Sequence, residues 1–209
     1  MSGPTPSEGT SAGGAGRFPG FDVLAQRKYW DETTARVVLA RLDPDTSTRF
    51  FDDAERTTAS ALFDLLLDQR VERKVPVLEL VEQRLAAYET DGWYYADMPE
   101  DQPAWHATLA ALEADAKERY GRPFPELDPD AQNAIVQAVQ DADQWRGLPA
   151  GHVWSLWTRY ACAAFYSHPL AWNEIGFGGP AYPRGYKGLG VGKLEPWERP
   201  DAVGREVGP

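Results

Sequence analysis

One long helix candidate, residues 152–166, is apolar on nearly all sides and limits the fold more than any other stretch. Its first apolar row recurs at helical spacing and consists of Val153, Leu156, Trp157, Tyr160, Ala161, Ala164 and Phe165. A second row lies on the opposite side and consists of Trp154, Thr158, Cys162 and Tyr166. A helix of this kind has to be surrounded by other elements. We therefore expect the domain to pack around it, with Trp157 in the core and Cys162 as a small buried side chain.

The stretch after this helix changes character at Pro169. Proline lacks the N–H that a helix interior needs, so we expect the helix to end near His168 and to give way to irregular backbone. Glycines and prolines favour turns in that backbone. The same stretch carries four large aromatic side chains, at Trp172, Phe177, Tyr182 and Tyr186. Such side chains bury large areas, which predicts an ordered segment rather than a linker.

The run from Tyr166 to Tyr186, YSHPLAWNEIGFGGPAYPRGY, resembles the C-terminal signature of the gluconate 2-dehydrogenase subunit 3 family. The SHP and GFGGPAYPRGY pieces carry the resemblance, and the helical pattern from about Phe50 onward is compatible with it. The resemblance implies a small, non-catalytic subunit that binds a large flavoprotein dehydrogenase of the glucose-methanol-choline type. It implies a hetero-oligomer in which FAD and the substrate belong to the large subunit, with no cofactor in this chain.

Composition argues against several other classes of function. The formal net charge is −11, which argues against nucleic acid as a partner because binding to phosphates needs a basic surface. No run of apolar residues is long enough to predict a membrane span. The single cysteine, Cys162, excludes an internal disulfide and an iron–sulfur cluster or c-type haem held by this chain alone.

The expected compartment follows from the first 20 residues. Members of the family are often exported with a twin-arginine signal, whereas MSGPTPSEGTSAGGAGRFPG has neither a twin arginine nor an apolar core. We therefore expect a cytoplasmic protein, or one that is exported only together with a signal-bearing partner.

The order of sequence patterns predicts four parts. These are a disordered N-terminal tail at 1–20, an anchoring segment at 21–49, a helical domain at 50–187 and a C-terminal tail at 188–209. The anchoring segment contains apolar runs that fit a helix or a strand equally well, and its anchor is either the domain core or a partner. The fold class is all-α, an irregular domain of about five helices around the buried aromatic helix, with extended N- and C-terminal segments.

Helix starts are marked by residues with capping ability. Asp52 with Glu55 resembles a capping box, Pro76 opens the next helix, and Asp128 followed by Pro129 opens another. Apolar spacing assigns Tyr88 to the buried face of the helix after Pro76, and Ala134 to the buried face of the helix after Pro129.

Catalytic and metal-ligating patterns are absent from the sequence. The three histidines, His106, His152 and His168, form no metal-binding spacing, and the GLGVGK run lacks the spacing of a phosphate loop. We therefore predict no catalytic and no metal site. His168 is assigned a structural role, in which its ring caps the preceding helix or hydrogen-bonds a neighbouring chain.

Two arginines stand among the aromatic residues. Arg159 is the charge within the aromatic helix, and Glu174 is a plausible partner for a structural ion pair. Arg184 is suited to a carboxylate or carbonyl on a second protein. Tyr, Trp and Arg favour the centres of interfaces, and the predicted partner-binding residues are Trp172, Phe177, Tyr182, Pro183, Arg184 and Tyr186.

An alternative function belongs to a different class. The chain could be a free-standing sugar-binding domain or an unrecognised enzyme, with an aromatic pocket near Trp157, Trp172 and Tyr182. Co-purification of a yellow large subunit favours the subunit hypothesis, whereas a monomer that binds sugars alone favours the alternative.

Overall fold

A computed structural model describes residues 18–71, 75–188, 190–191 and 193–199. Residues 1–17 of the expected N-terminal tail lie outside the described residues. So do residues 189, 192 and 200–209 of the expected C-terminal tail. The tail assignments therefore stay predictions.

Helices make up most of the described regular structure. The α-helices are α1 Glu32–Ala40, α2 Asp53–Leu66, α3 Val77–Ala86, α4 Asp101–Tyr120, α5 Pro129–Asp141, α6 Ala150–Ser167 and α7 Pro169–Ile175. Two 3₁₀ helices, Val23–Tyr29 and Phe124–Glu126, accompany them, and β1 Gln144–Trp145 pairs antiparallel with β2 Leu148–Pro149. The all-α fold class is confirmed, and the segment that fitted either helix or strand is helical.

Capping residues begin α2 and α5 at the predicted positions. Asp52 accepts a hydrogen bond from the Glu55 N–H at 2.8 Å, and Glu55 accepts one from the Asp52 N–H at 3.1 Å. This reciprocal pair satisfies two donors that a helix start leaves free. At α5, Asp128 accepts from the Ala131 N–H at 2.9 Å, with Pro129 in the first turn. Both predicted starts are confirmed.

Contacts divide the chain into two compact units. Residues 43–166 form one, here called the helical unit, and residues 1–42 with 167–209 form the other, here called the two-segment unit. The helical unit holds α2 to α5, the hairpin and all of α6 except its last residue. The two-segment unit holds the first 3₁₀ helix, α1 and α7. The four-part division expected from the sequence stays a prediction.

The core of the helical unit is aromatic. Trp105 of α4 lies edge-on to Tyr160 of α6 at 5.7 Å between ring centroids, and Trp145 of β1 lies edge-on to Trp157 at 5.5 Å. Trp157 is fully buried, and its indole Nε1 donates to Thr108 Oγ1 at 3.1 Å. Edge-on packing adds to the stabilisation that burial of the rings provides. The predicted core position of Trp157 is confirmed.

Three burial predictions are wrong. Cys162 is exposed on the outer side of α6, because this side of the helix is left uncovered at that position. Tyr88 is 76% exposed, since α3 ends at Ala86 and the helical face on which it was placed does not continue. Ala134 is exposed on the outer side of α5. Apolar spacing alone could not separate these positions from the buried rows.

Candidate functional site

All six residues predicted to bind a partner lie in the two-segment unit, which is assembled from stretches far apart in the sequence. The Val23 N–H donates to Asn173 Oδ1 at 2.8 Å, a contact across 150 positions of the chain. Phe21, Val23, Trp30, Val38 and Trp172 form its buried cluster. The N-terminal aromatic segment and the stretch after α6 are therefore two halves of one small core.

Trp172 belongs to this core and not to its surface. It is 5% exposed, and Phe177 lies edge-on to it at 5.3 Å between ring centroids. The Arg41 guanidinium lies 5.8 Å from the Trp172 ring, and its Nη1 donates to the Ser167 carbonyl at 2.9 Å. The indole ring is thus occupied by contacts within the unit, which leaves it no free face for a partner or a sugar.

Two glycines of the signature allow aromatic rings to approach the backbone. A Cβ placed on Gly176 would lie 2.5 Å from the Phe18 ring, and one on Gly179 would lie 2.8 Å from the Trp30 ring. Both have a positive φ, 69° at Gly176 and 78° at Gly179, a backbone conformation that residues other than glycine rarely adopt. The sequence predicted turns at the glycines of this stretch, and in the structure Gly176 and Gly179 also make room for the rings of Phe18 and Trp30.

Helix α7 was not predicted, because Pro169 was interpreted only as the end of a helix. In the structure Pro169 occupies the first turn of α7, where the missing N–H has no cost. His168 caps this turn, with its Nδ1 accepting from the Leu170 N–H at 3.2 Å. Gly176 ends the helix in a left-handed conformation. The His168 ring therefore caps the start of α7 and not the end of α6.

Burial gives His168 an unusual titration. The residue is 1% exposed, and this burial lowers its pKa from 6.5 to about 4. The nearby charge of Arg41 lowers the pKa further, while the Arg41 backbone opposes the shift. His168 is therefore neutral at pH 7 and carries a ring that resists protonation.

A pH-dependent loss of stability is expected from this histidine. Because the folded state holds its pKa below the unfolded value, its contribution is complete above pH 6.5 and declines as the pH falls towards 4. The loss should reach about 3 kcal/mol in the free energy of unfolding. His168→Asn keeps a capping acceptor without a titrating ring, so the difference between the two unfolding curves should grow below pH 6.5. Parallel pH profiles for the two proteins would contradict the assignment.

Arg184 is engaged within its own unit. Its Nη1 donates to Gln26 Oε1 at 3.2 Å and its Nη2 to the Gly178 carbonyl at 3.1 Å. The guanidinium lies 4.0 Å from the Trp197 ring and 5.4 Å from the Tyr29 ring. Burial lowers the pKa of Arg184, and the nearby Tyr186, Tyr29 and Glu195 partly offset this lowering. Arg184, which the sequence suggested for contact with another protein, thus holds the two segments of this unit together.

The remaining predicted residues lie on the surface. Tyr182 is 65% exposed, Tyr186 is 52% exposed and Phe177 is 38% exposed, and Pro183 is exposed as well. Large apolar side chains on an ordered surface are typical of binding sites. These four residues, Phe177, Tyr182, Pro183 and Tyr186, are here called the aromatic surface.

Arg159 is the centre of an ion-pair network in the helical unit. Its Nη2 donates to Asp101 Oδ1 at 2.9 Å, and its Nη1 donates to Asp91, which also pairs with Arg84. Burial alone would lower the pKa of Arg159, but the hydrogen bonds to Asp101 and Asp91 outweigh it and raise the pKa. Glu174 was the partner suggested by the sequence. In the structure Arg159 instead pairs with Asp91 of the loop before α4 and with Asp101 of α4.

The same network fixes Tyr160 and the loop before α4. Tyr160 donates its hydroxyl proton to Asp101 Oδ2 at 2.7 Å, and burial together with this bond raises the tyrosine pKa. Trp93 of the loop lies 5.1 Å from the Arg159 guanidinium and is 48% exposed. Asp91 lies in the loop between α3 and α4. Its distance of 68 positions from Arg159 gave no local signal of the pair.

Among the described residues, no group of three or more His, Cys, Asp or Glu side chains is arranged to hold a metal ion. No helix within the same ranges has the length and apolarity to cross a membrane.

Charge is distributed unevenly between the two units. Residues 43–166 carry 23 acidic and 11 basic side chains, whereas residues 1–42 and 167–209 together carry 9 acidic and 10 basic ones. The acidic character of the chain thus belongs to the helical unit. The sequence segments that form the two-segment unit are close to neutral, with a slight basic excess.

The chain matches the model of a known protein family. The model of the family described as gluconate 2-dehydrogenase subunit 3 matches residues 53–179, which is more than half of the chain. The match includes Gly176 and Gly179 and ends before Tyr182. The comparisons with curated proteins and with solved structures found no match.

Proposed function

Because this chain belongs to the gluconate 2-dehydrogenase subunit 3 family, we propose that it is the small, non-catalytic subunit of a flavin-dependent sugar or sugar-acid dehydrogenase. The family is named for a subunit of a gluconate dehydrogenase complex, which implies a larger subunit as partner. In this proposal the large subunit is a flavoprotein of the glucose-methanol-choline type and holds FAD. The small subunit binds it, stabilises it and aids its maturation.

The observation that carries this proposal is the aromatic surface. Tyr182 and Tyr186 are more than half exposed, although the segment that holds them is fixed by Arg184 and by the core around Trp172. A rigid scaffold that presents tyrosine side chains loses little conformational entropy on binding. Interfaces favour tyrosine at positions that contribute much of the binding free energy.

The sugar-binding alternative receives less support. It places an aromatic pocket near Trp157, Trp172 and Tyr182, but Trp157 is fully buried and Trp172 is 5% exposed. A sugar stacks on a free ring face, and neither indole offers one. Tyr182 alone retains an accessible ring.

We expect Tyr182→Ala to weaken binding of the flavoprotein subunit without unfolding this chain. An interface tyrosine near the centre of a contact contributes about 2 kcal/mol, which corresponds to a roughly thirtyfold higher Kd. The measurement is titration of the flavin-containing large subunit with purified variants, followed by the flavin absorbance of the isolated complex.

Tyr120→Ala is the matched control, because Tyr120 is a 43% exposed tyrosine at the end of α4 in the helical unit. It should leave the Kd unchanged. Equal affinities for wild type and Tyr182→Ala would remove Tyr182 from the interface. A wild-type chain that neither binds nor stabilises any flavoprotein would reject the proposed function itself.

A further inference from the structure

A cleft in the two-segment unit is lined by two cationic side chains, Lys28 and Arg184. The cleft has a volume of about 410 Å³ and is lined by Gln26, Lys28, Tyr29, Arg184 and Trp197, together with one alanine and one proline. No acidic side chain is among the lining residues. It is called here the basic aromatic cleft.

Its two cations are held in place by aromatic rings. The Arg184 guanidinium lies 4.0 Å from the Trp197 ring centroid and 5.4 Å from that of Tyr29, and Lys28 Nζ lies 5.0 Å from the Tyr29 centroid. Ring faces attract cations but do not neutralise them. The described residues that line the cleft include no carboxylate, and Glu195, which lies outside the lining, only partly offsets the effect of burial on the pKa of Arg184.

A half-buried guanidinium whose hydrogen bonds go to neutral groups favours the binding of an anion. Arg184 uses two of its donors on Gln26 and Gly178, both neutral, and its buried Nε has no hydrogen-bond partner among the described residues. A carboxylate seated between Lys28 and Arg184 would interact with both cations, and the planar guanidinium suits a carboxylate better than a spherical anion. Because the Tyr29 and Trp197 rings already lie against the two cations, the side chains need little reorganisation when the carboxylate binds.

Exposed aromatic rings at the rim of the cleft favour a protein segment as the source of the carboxylate. Tyr29 is 50% exposed, and Tyr186, whose ring lies 6.2 Å from Trp197, is 52% exposed. A small free acid would leave both rings in water. An extended protein segment would cover them and exclude water from the ion pairs, which strengthens the pairs.

From these observations we infer that the basic aromatic cleft binds an acidic segment of a protein partner, with a carboxylate placed between Lys28 and Arg184. This inference deepens the proposed function and rests on it, because the large subunit is the partner considered. It adds a charged anchor to a contact otherwise made by the aromatic surface. Charge complementarity of this kind accelerates association and fixes register.

The test compares two neighbouring charge reversals. Lys28→Glu changes the cleft, whereas Arg27→Glu makes the same change one residue away, at an exposed arginine that does not line it. Lys28→Glu should weaken binding of the flavoprotein subunit at least about tenfold and reduce its salt dependence. Arg27→Glu should change the Kd less than about threefold. Equal effects of the two reversals would overturn the inference.

A second measurement does not need the flavoprotein. The Trp197 indole N–H resonance is followed by NMR while the wild-type chain is titrated with a capped peptide of alternating Glu and Tyr, and separately with benzoate. The peptide should shift the resonance in wild type and Arg27→Glu but not in Lys28→Glu. Benzoate that binds as tightly as the peptide would indicate a small-acid site. A shift that depends only on protein concentration would indicate a second copy of this chain, and either result overturns the inference.

These readouts separate the two proposals. If the wild-type chain binds no flavoprotein but the peptide result holds, the proposed function fails and the cleft remains an acidic-segment site. If the flavoprotein binds wild type and Lys28→Glu equally, the inference fails and the subunit function remains.

Discussion

Trp157→Ala is expected to lower the free energy of unfolding of the helical unit by about 3–5 kcal/mol. The side chain is fully buried, its ring contacts Trp145, and its indole Nε1 donates to Thr108 Oγ1. Alanine removes the ring contacts, leaves a cavity in a packed core and leaves the Thr108 hydroxyl without this donor. Chemical denaturation of the two proteins, followed by circular dichroism, measures the difference.

Trp154→Ala is the matched control on the same helix. Trp154 is half-buried and borders a surface groove with Leu65 and Leu66, so its loss should destabilise the unit much less. Trp157→Phe separates packing from hydrogen bonding, because it keeps an aromatic ring and removes the Nε1 donor. A loss below about 1 kcal/mol for Trp157→Ala would show that α6 is not the centre of the core.

The second large effect is expected from Glu82→Ala in α3. Glu82 is fully buried, pairs with Arg56, and its Oε1 accepts from the backbone N–H groups of Phe50 and Phe51 at 3.2 Å each. Removing the carboxylate leaves a largely buried guanidinium and two backbone donors without this acceptor. Loss of one partner of a buried ion pair costs about 3–5 kcal/mol.

Two further variants test this explanation. Glu79→Ala removes the other acidic neighbour of Arg56, 3.5 Å from its Nη2, and should cost less than about 1 kcal/mol because that pair is partly exposed. Glu82→Gln keeps an acceptor for Phe50 and Phe51 but removes the charge, so its effect should be intermediate. If Glu79→Ala and Glu82→Ala destabilised the unit equally, the backbone contacts of Glu82 would contribute nothing.

Local signals in the sequence predicted the helices of the helical unit. Asp52 with Glu55, and Asp128 with Pro129, act within one helical turn, so their spacing is visible without a structure. The apolar row placed Val153, Leu156 and Trp157 in the core because a helix repeats over a few residues. The five helices expected from residue 50 onward correspond to α2 to α6.

Contacts between distant residues could not be predicted in this way. Arg159 pairs with Asp91 and Asp101, and Glu82 binds the backbone before α2, at separations that no periodic pattern encodes. Cys162 was misplaced because both sides of α6 carry apolar residues, and spacing does not show which side is covered. The contacts of Arg184 with Gln26 and Trp197 were not predicted, because its local sequence gave no sign of either residue.

The two-segment unit also has a consequence for the order of events during synthesis. Residues 18–42 leave the ribosome first, but their packing partners, Trp172 and the Gly176 to Gly179 backbone, are made only after the entire helical unit. Trp197, which stacks on Arg184, follows later still. A product that stops after residue 166 can contain the helical core yet lacks the aromatic surface. Only nearly finished molecules therefore present the aromatic surface that the proposed subunit function requires.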